Sequence, residues 1–175
     1  MVATTHQIFG FLFGLITISI FNMIGIRPTY FFETIFFFLL VLIGSILPDL
    51  DHPKTKLGRK IPFLSYPIYW LFGHRTFTHS LIFVIISWMI AKIVVVVFQF
   101  DDLYAYAIAS GILSHIIGDM ITKKGVPLFY PLKKNIRFFI TFKTGGVIEK
   151  IIAVVLVVCN LYLFIVWIEK GWIQL

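Results

Sequence analysis

Long apolar segments constrain this chain more than any other feature of its sequence. Residues 8–26 form an uncharged stretch, which is long enough to cross a hydrocarbon core about 30 Å thick. Comparable segments follow further along the chain, and each favours a membrane-spanning helix. The five predicted spans are residues 8–26, 31–47, 81–100, 103–121 and 151–168.

The composition favours an integral membrane protein. Apolar residues make up 59% of the chain and charged residues only 13%, whereas soluble domains have about 45–50% and about 25%. This leaves too little polar surface to face water, so most of the surface must face lipid. In 175 residues five spans leave no room for a soluble domain. We therefore predict a single membrane-embedded domain over residues 1–175, an all-α bundle of about five transmembrane helices.

One apolar segment is too short to be a span. Residues 61–73 lie between the second and third spans and are interrupted by Pro62 and Pro67. Proline inside a helix removes a backbone hydrogen bond and kinks or ends the helix. The segment is therefore predicted to be interfacial or re-entrant.

Basic residues are distributed unequally between the two sides of the predicted bundle. If the spans alternate in direction, the loops 48–80 and 122–150 share a side and carry twelve Lys and Arg. The other side carries Arg27 and Lys170, and Lys92 inside the third span is expected to reach that interface. Since cytoplasmic loops are enriched in Lys and Arg, the N-terminus is predicted to be cytoplasmic. The basic run at 54–60 and the pair Lys133-Lys134 have no interleaved aromatic residues on which bases could stack. Membrane lipids are therefore the expected partners and nucleic acid is not.

All five histidines fall at this same end of the predicted spans. His6 precedes the first span, and residues 48–52 (PDLDH) end the second. Residues 74–80 (HRTFTHS) open the third span, and residues 114–119 (SHIIGD) end the fourth. The orientation rests on Lys and Arg alone, so this coincidence is independent support for four helix ends converging on one site.

The residue types at this end suit a metal ion. His115 and Asp119 are four apart, which places them on one helix face, and imidazole with carboxylate suits zinc or manganese. Pro48 ends the preceding helix, so Asp49 and Asp51 can turn toward the same centre, where a cation would neutralise them. The structural alternative is a hydrogen-bonded His–Asp pair for His115 and Asp119, and a solvated loop for the residues after Pro48. All of these His and Asp groups occur at the same depth in the predicted bundle, and this coincidence favours a metal-centred site.

The segment before the third span adds a cation and two histidines. Thr78 is predicted to cap the span, with His79 at the positive helix start and His74 in the loop before it. Arg75 could hold a phosphate oxygen with two hydrogen bonds. Pairing with a nearby carboxylate or with lipid headgroups is the alternative for this arginine.

Together these motifs resemble the family of membrane-bound, LexA-regulated metal-dependent hydrolases. The resemblance covers residues 6 to about 131 in the expected order. It implies a multi-pass protein of the bacterial inner membrane with a metal site. The motifs that carry it are His6 followed by Gly10, GSILPDLDH at 44–52, HRTFTHS at 74–80, SHIIGD at 114–119 and GVPL at 125–128.

The order of these residues is also distantly similar to the ligands of zinc-dependent phospholipase C and the related single-strand nucleases. Those all-helical enzymes cleave phosphodiesters with clusters of zinc ions. The similarity implies five metal ligands, of which Asp119 could bridge two ions. The implied ligands are His6, Asp49, His79, His115 and Asp119.

The chain departs from that pattern downstream. It has no histidine after His115, so one or two ions are expected rather than three. His52 is added to the predicted ligand set. Asp51 and His74 are alternatives to these ligands or would orient them.

The resulting hypothesis is metal-assisted hydrolysis at the cytoplasmic membrane face. The expected substrate is a phosphoric ester of a lipid or amphiphile, and the expected cofactor is a divalent ion, zinc first and manganese second. Asp51 is the predicted base and Arg75 the predicted oxyanion clamp. The alternative is a non-enzymatic membrane protein with a structural or transported metal ion. A transporter would place polar residues near the bilayer midplane, and here they lie at one end.

Overall fold

The computed structural model describes residues 1–26 and 28–172, and this part of the chain is helical, as predicted. Arg27, which entered the charge count above, lies outside the described residues. Two 3₁₀ turns, here the first turn (Leu47–Asp51) and the second turn (Phe77–His79), interrupt the helices. The α-helices are α1 (Ala3–Met23), α2 (Phe31–Gly44), α3 (Lys56–Lys60), α4 (Pro62–Phe72), α5 (Leu81–Phe98), α6 (Leu103–Met120) and α7 (Val147–Glu169).

Four of the five predicted spans are long and apolar enough, by length and composition, to cross a membrane. Within the described residues these are Ala3–Met23, Phe31–Asp51, Leu81–Phe98 and Val147–Glu169. The remaining predicted span forms α6, which packs against α1, α2 and α5. More of α6 is buried than of any of its neighbours. Its small and polar residues therefore face protein, which explains its weaker apolar character.

The helices alternate in direction, so their ends gather at one end of the bundle. The first turn follows α2, the second turn precedes α5, and these two turns contact each other. We call this end, where α1 and α7 also begin, the site end. At the opposite end the Lys92 ammonium lies 2.5 Å from the Asp102 carboxylate. This is the placement expected for a lysine that reaches the interface.

The segment 61–73 folds as the short helix α4 at the site end, beside the first turn. Its 11 residues extend only about 16 Å, roughly half the hydrocarbon core. Phe63, Trp70 and Leu71 are strongly exposed on it. The helix, with its exposed aromatic side chains, is too short to be a span, and its position relative to the membrane, interfacial or re-entrant, stays a prediction.

Two predicted helix starts were too late. α1 begins at Ala3, so His6 lies inside the first helix and not before it. α7 begins at Val147, which places Glu149 in its first turn. Both errors have the same cause: these polar side chains are buried by neighbouring helices, so polarity did not mark the helix boundary.

α2 and α6 cross at a glycine contact that positions the site. A Cβ added to Gly44 would lie 3.2 Å from Gly111 Cα, and one added to Gly111 would lie 2.8 Å from Ser45 N. Because backbone atoms fill this space, only glycine allows the approach. The close crossing brings the Ser45 carbonyl to 2.7 Å from His115 Nδ1.

We expect Gly111→Ala to lower the free energy of unfolding in detergent by about 1–3 kcal/mol, because the added methyl group overpacks the crossing. Val154→Ile also adds one carbon, but on the exposed surface of α7, and should leave stability unchanged. Thermal unfolding followed by circular dichroism compares them. Equal stability of both variants would contradict the close crossing.

Candidate metal centre

Five His and Asp side chains from four elements meet at the site end. α1 supplies His6, the first turn Asp49, the second turn His79, and α6 both His115 and Asp119. They form two overlapping groups, His6–His115–Asp119 and Asp49–His79–His115, whose ligand atoms lie within 4.8 Å of one another. Only Asp49 is appreciably exposed, at 18%. The structure therefore brings together the five residues that the resemblance implied.

His115 belongs to both groups and is held in one orientation. Its Nδ1 faces the Ser45 carbonyl at 2.7 Å, so Nδ1 is the donor and Nε2 keeps its lone pair. Nε2 lies 3.2 Å from His79 Nε2 and 3.8 Å from an Asp49 oxygen. Two tetrahedral ligands with zinc–nitrogen bonds of about 2.0–2.1 Å are roughly 3.4 Å apart. The spacing of these imidazoles fits such an ion.

Asp119 presents one oxygen to each side of the cluster. Oδ1 lies 3.3 Å from His6 Nε2 and accepts a hydrogen bond from the Met1 ammonium. Oδ2 lies 2.6 Å from Arg75 Nη2 and 3.7 Å from His79 Nε2. The carboxylate is almost completely buried, so these positive and polar partners are needed to offset its desolvation.

Asp51 connects the first turn to the second. One oxygen accepts hydrogen bonds from Thr78 Oγ1 at 2.5 Å and from the Arg75 amide at 2.9 Å. The same oxygen lies 3.3 Å from His79 Nδ1, and the other lies 2.8 Å from His74 Nδ1. The side chain is fully buried. This network fixes the orientation of His79, whose Nε2 faces the cluster.

The predicted cap of the third span was two residues too early. Ser80 is the N-cap of α5, and its hydroxyl accepts from the Phe83 amide at 3.3 Å. The Thr78 hydroxyl donates to Asp51 and lies 2.9 Å from His79 Nδ1, so this side chain is directed into the site and not toward the start of α5. The hydrogen bond to the buried carboxylate therefore fixes the orientation of the Thr78 side chain.

Arg75 is held in a strained backbone conformation with part of its guanidinium unused. Its φ of 56° lies in the left-handed region, which is uncommon for a long side chain and occurs often at functional sites. Nη2 pairs with Asp119, while Nε and Nη1 are buried with no hydrogen-bond partner among the described residues. Two free donors in a fixed plane match a phosphate or carboxylate group.

His52 is the one predicted ligand that falls outside both groups. Its Nδ1 accepts from the Lys54 amide at 3.1 Å, and its ring packs edge-on against His74 at 4.7 Å between centroids. Burial, with a smaller contribution from His74, lowers the pKa of His52. His52 therefore supports His74, which in turn contacts Asp51.

Glu149 is a buried polar residue that the sequence reasoning missed. Its carboxylate accepts hydrogen bonds from the Val2 amide at 2.7 Å and from the Gly145 amide at 2.6 Å. It thereby fastens the start of α7 to the start of α1. The available signal was its position as the lone acidic residue of the basic loop 122–150.

The fold and this site define a helical membrane protein with a buried His and Asp cluster at one end of the bundle. The chain belongs to the YdjM inner membrane protein family, whose model matches residues 1–173. The family and the apolar helices support a location in the bacterial inner membrane. The family description names a location and no activity.

Two relatives illustrate this membership. The chain is 34% identical over 122 residues to the uncharacterized protein YvsG of Bacillus subtilis, covering 70% of this chain and 74% of YvsG. It is 36% identical over 125 residues to the inner membrane protein YdjM of Escherichia coli, covering 70% of this chain and 63% of that protein. No solved structure matches the chain at a significant level.

We expect His115→Ala to abolish metal binding, because His115 is common to both groups. His52→Ala should retain the metal content of the wild type, since His52 lies outside the cluster. Elemental analysis by mass spectrometry of detergent-purified protein, incubated with zinc and desalted, measures both. An unchanged metal content in a folded His115→Ala variant would contradict the ligand assignment, and loss in His52→Ala would restore His52 to the ligand set.

Proposed function

We propose that this protein is a membrane-bound, metal-dependent hydrolase that acts on a phosphoric ester at the cytoplasmic face. The observation that carries the proposal is the pairing of a buried five-residue ligand cluster with the two free donors of Arg75. Buried polar groups normally have partners, so the free Nε and Nη1 of Arg75 mark a place where an acceptor such as a phosphate oxygen would bind. An anion bound beside a cation accounts for both features.

The ligands fit zinc, with manganese as the alternative. His79 and His115 supply nitrogen, and Asp49 and Asp119 supply oxygen, which is a donor set typical of these ions. His6 stacks on His115 with 3.7 Å between ring centroids and extends the set toward α1. When bound, such an ion polarises a phosphoryl oxygen and lowers the pKa of a coordinated water toward about 7.

The protein's own residues then have distinct tasks. Arg75 Nε and Nη1 hold the phosphoryl oxygens and offset their growing negative charge. Asp51 is a positioning residue, since both its oxygens are already engaged and it is fully buried. This revises its predicted task as the base.

Asp49 has one carboxylate oxygen, Oδ1, that faces the cluster at 3.8 Å from His115 Nε2 and would hold the ion. Its second oxygen is the one best placed to accept a proton. Asp49 lines a cleft of about 210 Å³ together with Gln7 and Lys60, so it is the site carboxylate that reaches the surface. In the overall reaction the water oxygen bonds to phosphorus, and the ester P–O bond breaks. Asp49 takes a proton from the water, and the departing oxygen receives one from solvent in the cleft.

Chelation separates this proposal from the alternatives. We expect hydrolysis of a phosphoric ester probe, bis(4-nitrophenyl) phosphate, to stop on treatment with a chelator and to return with zinc or manganese. A structural ion would give metal-dependent stability without turnover, and a transported ion would give uptake of labelled zinc into proteoliposomes without turnover. Either of these results, with a folded and metal-loaded protein, would contradict the proposal.

We expect Arg75→Gln to reduce kcat/KM about 10²–10³-fold, the usual loss when one donor to a developing oxyanion is removed. Metal content should persist, because Arg75 is not a ligand. Arg59→Gln changes an exposed arginine of α3 and serves as the matched control. Equal rates for Arg75→Gln and Arg59→Gln would exclude Arg75 from the reaction.

A further inference from the structure

An apolar cavity runs along α5 from the site end toward the opposite end of the bundle. Its volume is about 470 Å³, within the range of about 300–1,000 Å³ usual for ligand sites. The side chains that α5 contributes recur every three or four residues, so they form one helical face. They are Phe83, Ser87, Ile90, Ala91, Val94 and Val95.

One end of the cavity adjoins the two turns that carry part of the candidate metal centre. Leu47 and Leu50 of the first turn line it, and Asp49 and Asp51 in the same turn belong to the site. Thr78 also lines it, while the Thr78 hydroxyl lies 2.9 Å from His79 Nδ1. A molecule in the cavity would therefore have one end next to the turns that hold Asp49, Asp51 and His79.

The length of the cavity matches one leaflet of a bilayer. From Phe83 to Val95 the helix rises about 18 Å, and one leaflet of a hydrocarbon core is roughly 15 Å thick. The walls are apolar along this length, so a hydrocarbon chain would fill the space and water would find few partners there.

The cavity is also accessible from lipid. Ile90 of its α5 wall and Leu64 of its α4 wall are both exposed. The neighbouring faces of these helices carry exposed large apolar side chains, including Ile85 and Phe63. A lipid in the same leaflet could enter sideways without leaving the membrane.

We infer that this cavity holds the hydrocarbon chain of a phosphate-bearing membrane lipid, whose headgroup lies at the candidate metal centre. The inference rests on the proposed function and names its substrate class. The two free donors of Arg75 supply the charge that complements the phosphate. Recognition thus combines an anionic headgroup at the site end with one acyl or prenyl chain along α5.

Photo-cross-linking tests this assignment. The probe is phosphatidic acid with a diazirine near the end of one acyl chain, mixed into vesicles of phosphatidylethanolamine and phosphatidylglycerol with the full-length protein. Cross-links mapped by peptide mass spectrometry should concentrate on the cavity residues at the far end of α5, Val94 and Val95. We expect Ser87→Phe to lower the cross-linking yield about tenfold. This is the loss of affinity expected when roughly two methylene groups of the acyl chain are no longer buried in the cavity.

Two further variants keep the test decisive. Ile85→Phe adds an aromatic ring to the outward face of α5 and should leave the yield unchanged. Leu64→Trp fills the cavity from α4, so it replaces Ser87→Phe if that variant misfolds. Cross-links spread over all lipid-facing helices, with no effect of the filling variants, would overturn the inference.

Metal content measured in the same samples separates this inference from the proposed function. Cavity-filling variants should keep their metal while they lose the cross-link. If the protein holds metal but the cross-links are spread evenly, the assignment of the cavity to a lipid chain is rejected and the metal centre is retained. Concentrated cross-links on a protein that binds no metal would reject the hydrolase and leave a lipid-binding cavity.

Discussion

The arrangement of the site depends on one carboxylate that is almost completely buried at the end of an apolar bundle. Asp119 would be too costly to desolvate without compensation, and Arg75, the Met1 ammonium and His6 all contact it. Met1 and His6 come from the start of α1, and Arg75 comes from the segment before α5. The need to compensate one charge therefore draws α1 and the segment before α5 toward the end of α6, and it fixes the region in which a cation can bind.

A second buried carboxylate, Asp51, fixes the orientation of His79. By engaging Thr78, His74 and the Arg75 amide it determines which nitrogen of His79 faces the cluster, as partners of metal-binding histidines commonly do. The Ser45 carbonyl does the same for His115. The glycine crossing of α2 and α6 is what allows that carbonyl to reach its partner. Helix packing, hydrogen bonding and the direction of the ligand atoms are therefore linked in one chain of contacts.

Much of this arrangement could be predicted from the sequence. Apolar segments located the helices, and the spacing of His115 and Asp119 placed both on one face. The sequence alone did not show which contacts between distant segments would override local preferences. Thr78 is directed to Asp51 and does not cap the third span, and the burial of Glu149 moved the start of α7. His52 has the right type and position for a ligand, but the backbone after the first turn directs it to His74. These outcomes depend on contacts between distant segments, which local patterns do not contain.

Zinc K-edge X-ray absorption on detergent-purified protein loaded with one equivalent of zinc tests the central claim most directly. The cluster predicts a low-coordinate ion with imidazole nitrogen and carboxylate oxygen ligands. It predicts no sulfur ligand, since Cys159 is exposed on α7. Outer-shell scattering from at least two imidazoles would support the account. A six-coordinate, all-oxygen spectrum like that of hydrated zinc, from folded protein, would contradict it.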